Sequence, residues 1–437
     1  MRARQWLVVA LWLLETHAAW GQSQRDWLQW RGPENTGIAP GSKPPIEWSD
    51  SKNIAWKAPI PGKGHSTPLV VGDAVYVTTA IPIGPKLEPK MSGRPGEHDN
   101  LPVTSRQRFE LLALDRTHGK QLWQRALHEA VPVEGGHYTA SLASSSPVSD
   151  GKLIFVHLGS FGTYAVDAAR GEIVWSKILG QMHTKHGHGE GASPALDGDT
   201  LIINWDHEEE SFLLALNKRT GQVLWRQPRR EDTSWSSPII VDCDGKKQVI
   251  VCGTNRVRGY DLFDGTVLWE CGGMSSNIVA TPVYRDGIVY VGSSYEKRVL
   301  MAISIQGAHG DITDSSRVLW TRTRGTPYVP SMLLYDDSLY FLAHYQNVLS
   351  RISGPSGKDV PGAIRLGSLG DIYSSPVGAN GYVYITDLHG TTEVIQHADL
   401  PRTVAVNRLD DRVAAGLAIA GDQIFIRGES FLYCISE

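Results

Sequence analysis

Residue types that bind metals or transfer protons are concentrated in one short stretch of the chain. Residues 183–194 read HTKHGHGEGASP and place His183, His186, His188 and Glu190 within eight residues of one another. Imidazole and carboxylate groups together suit zinc or another first-row transition metal. The spacing matches none of the standard metal motifs, so the role of the stretch depends on the elements that carry it.

The overall composition restricts the class of protein. The 437 residues are 41% hydrophobic, with a formal net charge of -4 and a pI of about 6.4. This chain can bury a large core and has no basic surface typical of nucleic-acid binding. No C-x-x-C motif of a zinc ribbon or c-type haem is present. The four scattered cysteines, whose pairing the spacing leaves open, are Cys243, Cys252, Cys271 and Cys434.

The N-terminus has the pattern of a secretory signal peptide. Arg2 and Arg4 precede an apolar run at residues 6–14, and small residues stand near Gly21. A membrane span needs about 20 apolar residues, and this run is shorter. We expect residues 1–21 to be removed and the mature chain to be exported to the periplasm or cell envelope without a membrane span.

One motif repeats eight times along the rest of the chain. A small residue, usually followed by proline, precedes a strand, a Gly/Asp/Asn turn and a second strand, which is the signature of a β-hairpin. The copies are STPLVVGDAVYV, SSPVSDGKLIFV, ASPALDGDTLII, SSPIIVDCDGKKQVIV, ATPVYRDGIVYV, PSMLLYDDSLYF, SSPVGANGYVYI and GLAIAGDQIFI.

A second motif follows the first in several copies. An Asp or Asn stands four residues before a Gly, which stands four residues before a Trp, as in ALDRTHGKQLW, AVDAARGEIVW, ALNKRTGQVLW and YDLFDGTVLW. The polar side chain and the glycine suit a tight turn, and the tryptophan then lies on the outgoing strand. Tryptophans at one register predict a contact repeated between neighbouring units. RVLW at Trp320 keeps the tryptophan and lacks the glycine.

The two motifs together give four strands, A to D, in a unit of about 44 residues, which is close to the blade period of a β-propeller. We predict an all-β, eight-bladed β-propeller over residues 52–437, preceded by a lead-in at residues 22–51. The eighth copy has room for only three strands. We expect NIAWKAPI, which carries Trp56, to supply the missing strand and close the ring.

These repeats resemble the pyrroloquinoline-quinone-like β-propeller family, which includes quinoprotein alcohol dehydrogenases and the propeller lipoprotein of outer-membrane assembly. The lead-in DWLQWRGPENTG and the segments TSWSSP and GTPYVPS are similar to exported propellers of planctomycete-type bacteria. The resemblance extends over nearly the whole mature chain. It implies a fold rather than an activity.

The expected topology places candidate site residues on one face. In a four-stranded meander the D–A and B–C loops emerge on one face, and the segments before each innermost strand converge on the central channel there. We predict a ligand site at this mouth, as expected for a concave and partly apolar region. Its residues are His65, His137, Tyr138, His186, His188, Trp235, Asn277, Tyr328 and Tyr373.

Two loops add to the same face. The first B–C loop, from about residue 80 to 108, is long enough to overhang the channel. The third, NWDHEEESF, gives a predicted metal set made of His186, His188, Asp206 and His207. The alternatives for these residues are a solvated acidic edge and contacts among themselves.

Three functions are compatible with this pattern. We favour an exported, non-catalytic binding or scaffold protein that uses the face of the D–A and B–C loops to bind a protein, a peptide or another envelope ligand. We expect it to be a monomer with no cofactor and no nucleic-acid partner.

The second function is that of an oxidoreductase that uses pyrroloquinoline quinone with calcium. For such an enzyme the family resemblance implies a Glu/Asn calcium set, a catalytic Asp and commonly an adjacent-cysteine disulfide. Only Asn277 imitates one of these ligands, and no adjacent cysteines are present. The third is a metal-binding module at the third blade.

Overall fold

The structure is a computed structural model, and it describes residues 25–343 and 347–437. The predicted signal peptide, residues 1–21, lies outside this part of the chain. Eight sheets form the blades of a propeller, as the repeats predict; seven have four antiparallel strands and one has a fifth strand. Two short 3-10 helices, at Gly159–Phe161 and Lys185–Gly187, lie in connections between strands.

The first described strand, β1 (Ile54–Pro59), belongs to the last blade. Blades 1 to 4 then follow in chain order. Their strands are β2 (Leu69–Val71), β3 (Ala74–Ile83), β4 (Arg106–Asp115) and β5 (Gln121–Ala130); β6 (Val148–Ser149), β7 (Leu153–His157), β8 (Thr163–Asp167) and β9 (Ile173–Lys177); β10 (Ala195–Asp197), β11 (Thr200–Trp205), β12 (Phe212–Asn217) and β13 (Val223–Pro228); β14 (Ile239–Cys243), β15 (Lys246–Cys252), β16 (Arg256–Asp261) and β17 (Val267–Gly272).

Blades 5 to 8 complete the ring. Their strands are β18 (Val283–Arg285), β19 (Ile288–Ser293), β20 (Val299–Ser304) and, after the short strand β21 (Gly310–Asp311), β22 (Val318–Arg322); β23 (Leu333–Tyr335), β24 (Ser338–Leu342), β25 (Val348–Ser353) and β26 (Ile364–Arg365); β27 (Val377–Ala379), β28 (Tyr382–Thr386), β29 (Thr391–Gln396) and β30 (Thr403–Arg408); β31 (Ala418–Ala420), β32 (Gln423–Arg427) and β33 (Phe431–Ile435).

The ring closes by pairing the two ends of the described chain. Strand β1 runs antiparallel to β33, so that Trp56 lies opposite Cys434, and it provides the fourth strand of blade 8. The predicted closure is confirmed. Blade 4 differs from the prediction because β21 pairs in parallel with the outer edge of β17 and makes a fifth strand.

The tryptophans of the second motif join neighbouring blades. The indole of Trp175 donates a hydrogen bond of 2.7 Å to the Lys218 carbonyl of the next blade, and Trp225 donates one of 3.0 Å to Leu262. Each indole also lies against the turn glycine of the next blade: a Cβ added to Gly221 would lie 2.7 Å from Trp175. The predicted contact between units is confirmed, and it explains why these turns need glycine.

Trp269 departs from this pattern because the next blade has no matching glycine turn. Its indole donates instead to Gln248 Oε1 in its own blade, at 2.8 Å. This is the blade whose outer edge β21 covers. The missing glycine of blade 5, visible in the sequence, therefore coincides with the one five-stranded sheet among the described residues.

A second repeated contact joins the innermost strands. The residue before the repeat proline, or its equivalent, carries a hydroxyl group in seven blades, and six of these groups accept the backbone N–H of the corresponding residue in the preceding blade. We call the seven the hydroxyl ring: Thr67, Ser146, Ser193, Ser237, Thr281, Ser331 and Ser375, joined by bonds of 2.9–3.1 Å. Blade 8 has Gly416 at this position, so the ring is open there.

The lead-in crosses the face that carries the A–B and C–D turns, which we call the turn face. We call residues 26–39 the strap. Trp27 pairs with Val70 of blade 1, and the buried Arg31 donates 3.0 Å hydrogen bonds from Nη1 to the Pro376 carbonyl and from Nη2 to the Met332 carbonyl. Contacts with blades on both sides of the ring carry the strap across this end of the channel.

Candidate functional site

The other end of the channel opens on the face of the D–A and B–C loops, which we call the loop face. A cavity of about 370 Å³ lies there. Seven of the nine residues predicted for a ligand site line it: His65, His137, His188, Trp235, Asn277, Tyr328 and Tyr373. The repeat topology thus brings together residues that are far apart in the sequence. Trp30 of the strap also lines the cavity.

The two remaining predicted residues lie at the rim. Tyr138 is 48% exposed, and its ring centroid lies 4.7 Å from that of His137. His186 packs beside His188, with 5.3 Å between the ring centroids. Neither side chain is among the residues that line the cavity.

The long loop of blade 1 folds over this rim. It spans residues 84–105 between β3 and β4. Asn100 holds it in place: its Nδ2 donates to the His186 carbonyl at 2.7 Å, and its Oδ1 lies 2.9 Å from His188 Nδ1. The backbone N–H of Tyr138 donates to the Asp99 carbonyl at 2.9 Å. The loop therefore contributes to the site.

This loop also brings in His98, which is not among the residues predicted for the site. The ring centroid of His98 lies 5.2 Å from that of His186 and 4.8 Å from that of His188, while His137 lies 5.0 Å from His188. We call His98, His137, His186 and His188 the histidine cluster. The length of the loop was the signal that could have identified His98.

Hydrogen bonds fix the tautomers of three rings in the cluster. The Nδ1 atoms of His98, His186 and His188 lie 2.7, 3.0 and 2.9 Å from oxygen atoms of Gly96, Pro95 and Asn100. These carbonyl oxygens only accept, so each neutral ring carries its proton on Nδ1 and keeps a lone pair on Nε2. His137 is the exception, because its Nδ1 accepts the Thr139 N–H.

Burial keeps several of these rings neutral. Desolvation, followed by the nearby charges of His137, His98 and His186, lowers the pKa of His188 to about 4. Desolvation lowers the pKa of His65 to about 4 as well, with smaller contributions from Arg427 and Lys63. It also lowers the pKa of His137. These three imidazoles are uncharged at neutral pH.

Glu190 forms the inner wall of the site, below the histidine cluster. Its carboxylate accepts 2.7 and 2.5 Å hydrogen bonds from Ser160 N and Oγ. Burial raises the pKa of Glu190 to about 7, against the lowering effect of the Ser160 bonds. Gly159 is needed here, because its φ is +53° and a Cβ would overlap the Glu190 carboxylate. The glutamate can exchange a proton near neutral pH.

The four residues of the predicted metal set do not form one site. Asp206 is fully buried and both carboxylate oxygens bind Arg229, at 2.7 and 2.8 Å. His207 Nδ1 accepts the His183 N–H at 3.2 Å, whereas His186 and His188 belong to the histidine cluster. Within residues 25–343 and 347–437, no group of three or more His, Cys, Asp or Glu side chains is placed to hold a metal ion. The metal prediction therefore has no support.

All four cysteines are free and buried. In the part of the chain that the structure describes, no helix is long and apolar enough to cross a membrane.

Comparison with known proteins decides the family. The family model for outer membrane protein assembly factor BamB matches residues 107–360, more than half of the 437 residues. The chain belongs to this family. Its propeller fold and its resemblance to the pyrroloquinoline-quinone-like repeat family are thereby confirmed.

Individual BamB-family relatives are distant. The chain is 24% identical over 338 residues to outer membrane protein assembly factor BamB of Yersinia pestis, covering 73% of this chain and 77% of that protein. The crystal structure of BamB from Moraxella catarrhalis aligns with a TM-score of 0.54 at 12% identity, over 82% of this chain and 98% of that one. The computationally designed Ika8 protein aligns with a TM-score of 0.55 at 11% identity, over 91% and 100%. These two structures show a common fold.

Proposed function

We propose that this chain is an exported, non-catalytic binding or scaffold protein that holds an envelope ligand at its loop face. The observation that carries the proposal is the cavity of about 370 Å³ at this end of the channel. D–A loops of successive blades supply its wall and the loop of blade 1 its rim. A concave site with a few convergent polar groups is the usual form of a ligand site.

The family supports a role in the periplasm or cell envelope. A relative in Yersinia pestis is named an outer membrane protein assembly factor. We infer from this likeness that a protein or peptide of the envelope contacts the loop face of the present chain, which acts as a monomer. The signal peptide proposed for residues 1–21 would deliver the chain to that compartment.

Photo-crosslinking can test which face binds the partner. A photoreactive phenylalanine analogue replaces Tyr138 at the rim or, as the control, Phe263 in a turn of blade 4. Both side chains are exposed, at 48% and 91%, and they lie on opposite faces. We expect a discrete adduct from position 138 in the envelope of the source cell and none from position 263. Adducts from position 263 alone would overturn the assignment.

Export has its own test. The mass of the chain recovered from the periplasmic fraction should correspond to cleavage near Gly21. A full-length chain that remains in the cytoplasm would contradict export.

The second candidate, an oxidoreductase with pyrroloquinoline quinone and calcium, fits the lining less well. This quinone carries carboxylates, which favour cationic partners. Among the described residues that line the cavity, there is no Lys or Arg, whereas Asp99 and Glu190 are present. Reconstitution with the quinone and calcium should leave its absorption spectrum unchanged. Stoichiometric binding with reduction of a dye would replace our proposal with the oxidoreductase.

A further inference from the structure

The cavity at the loop face combines hydroxyl groups, imidazoles and aromatic rings without a basic side chain. Four members of the hydroxyl ring line it: Ser146, Ser193, Ser237 and Ser375. Each of these oxygens already accepts a backbone N–H from the preceding blade. A serine hydroxyl also has one proton to donate. The ring therefore offers the cavity several hydrogen-bond donors at one level of the channel.

The rim offers acceptors. His98 and His188 line the cavity, and each neutral ring carries its proton on Nδ1, where Gly96 and Asn100 bind it. The remaining ring nitrogen, Nε2, is then an acceptor. Donors around the channel and acceptors at its mouth match a ligand whose groups both donate and accept.

Two buried polar atoms of the lining residues have no partner among the described residues. They are Nε2 of His65 and Oδ1 of Asn277. Asn277 also has a φ of 59°, in the left-handed region. A buried polar group without a hydrogen bond loses its hydration without compensation, and strained backbone is concentrated at functional sites. A ligand hydroxyl at these positions would supply the missing partner.

Aromatic rings supply the apolar part of the lining. Tyr295 and Tyr328 are stacked, with 6.2 Å between ring centroids and 15° between the planes. Trp235 is held by a 2.7 Å hydrogen bond from Nε1 to the Gly189 carbonyl. Trp30 of the strap lines the same cavity. Flat rings of this kind give large contact area to the apolar face of a ligand.

We propose that this cavity binds a neutral saccharide, whose hydroxyl groups both donate and accept and whose ring faces are apolar. The proposal rests on the function proposed above and names the ligand class of the same site. An anionic ligand would find Asp99 and Glu190 but no Lys or Arg in the described lining. A cationic ligand would leave the serine protons without acceptors.

Calorimetric titration of the full chain can test the charge and class of the ligand. The neutral probes are maltose, cellobiose and N,N′-diacetylchitobiose, and the charged probes are glucosamine and glucuronate. We expect saturable binding of at least one neutral disaccharide and weaker binding of both charged sugars. Preference for glucosamine or glucuronate, or no binding of any neutral probe, would overturn the proposal.

Two variants locate the binding in this cavity. Asn277→Ala removes the unpartnered amide oxygen, and we expect its affinity to fall about tenfold, equivalent to the loss of one hydrogen bond. Asn380→Ala is the matched control: Asn380 also has a positive φ, of 47°, but it is exposed in the turn between β27 and β28 on the turn face. The control should bind as the unmodified chain does. Equal affinity of Asn277→Ala and Asn380→Ala for the sugar would place the binding elsewhere and overturn the proposal.

The saccharide test and the crosslinking test separate the two proposals. A crosslink at position 138 without saccharide binding would refute only the ligand class. Loss of both signals would refute the binding role of the loop face as well. Circular dichroism of each variant verifies that it is folded.

Discussion

The two faces of the propeller are built from the same repeats but differ in how regular their residues are. On the turn face, the same polar residue, glycine and tryptophan recur, and the indoles of Trp175 and Trp225 donate to backbone carbonyls of the next blade, with Trp269 as the exception. On the loop face, nearly every D–A loop differs, and three non-glycine residues, Asp99, His186 and Asn277, have left-handed backbone. His65 and Asn277 keep buried polar atoms without a described partner. Repetition marks the contacts that stabilise the ring. Departure from repetition marks the place where a ligand can be recognised.

The largest expected effect comes from the contact between blades. Trp225→Ala removes a buried indole and its bond to Leu262, so we expect a loss of about 3–5 kcal/mol in the free energy of unfolding. The neighbouring Leu224 is 48% exposed, and Leu224→Ala should change stability by about 0.5 kcal/mol or less. Thermal and urea unfolding compare the two variants. Similar losses in both would show that the tryptophan register does not hold the blades together.

The second largest loss of stability is expected from a substitution in the strap. Arg31→Met leaves the buried carbonyls of Met332 and Pro376 without their donor, at an expected cost of about 2–4 kcal/mol. Burial lowers the pKa of Arg31 to about 9, because a buried guanidinium charge loses its hydration. The uncharged methionine avoids this desolvation cost, which offsets part of the stability lost with the hydrogen bonds. Arg219→Met is the control, because the Arg219 side chain is 71% exposed. Unchanged melting of Arg31→Met would mean that the strap does not stabilise the closed end of the channel.

Acid should weaken the fold through its buried histidines. His65, His157 and His188 have pKa values of about 4 in the folded chain, below the ordinary value of 6.5. The unfolded chain binds more protons between these values, so stability falls as the pH decreases from about 6.5 to 4. Glu190 has the opposite effect, because its pKa is raised from the ordinary 4.5 to about 7 in the folded chain. Between these two pH values, its contribution to stability increases as the pH falls.

Melting curves from pH 7.5 to 5 can resolve these contributions. Glu190→Gln removes the opposing group, so its melting temperature should fall more steeply with acid than that of the unmodified chain. His188→Asn should give a shallower fall. A flat profile for all three proteins would contradict the assigned protonation states.

The smallest effect should be local to the rim. Asn100→Ala breaks the bonds to the His186 carbonyl and to His188 Nδ1, which hold the loop of residues 84–105 over the channel. We expect faster hydrogen exchange in this loop and around residues 185–189, with little change in global melting. Faster exchange throughout the ring would show that the loop supports the whole fold rather than the site alone.

Most of the fold could be predicted from the sequence because each blade has its own copy of the strand and turn pattern. The eight hairpin copies and Trp56 were sufficient for eight blades and for closure through β1. The fifth strand of blade 4 escaped prediction because β21 is only two residues long, Gly310–Asp311, and carries no strand pattern. A pairing of this length depends on where the connection lies in space and leaves almost no trace in residue types.

The site was predictable only where it follows the repeat. Residues just before each innermost strand, such as His65 and Trp235, line the cavity as the register requires. His98 and Trp30 also line it, but a long irregular loop and the strap bring them there. Asp206 illustrates the opposite failure: it lies in an acidic run that resembles a ligand set, yet Arg229, 23 residues away, neutralises it in the interior. Neither the position of His98 and Trp30 at the cavity nor the pairing of Asp206 with Arg229 can be inferred from local spacing.

The pairing of β1 with β33 also sets an order of events during synthesis. Strand β1 (Ile54–Pro59) is synthesised before the eight innermost strands, and its partner β33 is Phe431–Ile435. The strands of the other seven blades lie between β1 and β33 and must be made before these two strands can meet, so blade 8 is completed last. Strand β1 thus waits longest for its partner, and its contact with β33 has the largest sequence separation in the ring, a combination that favours slow final assembly.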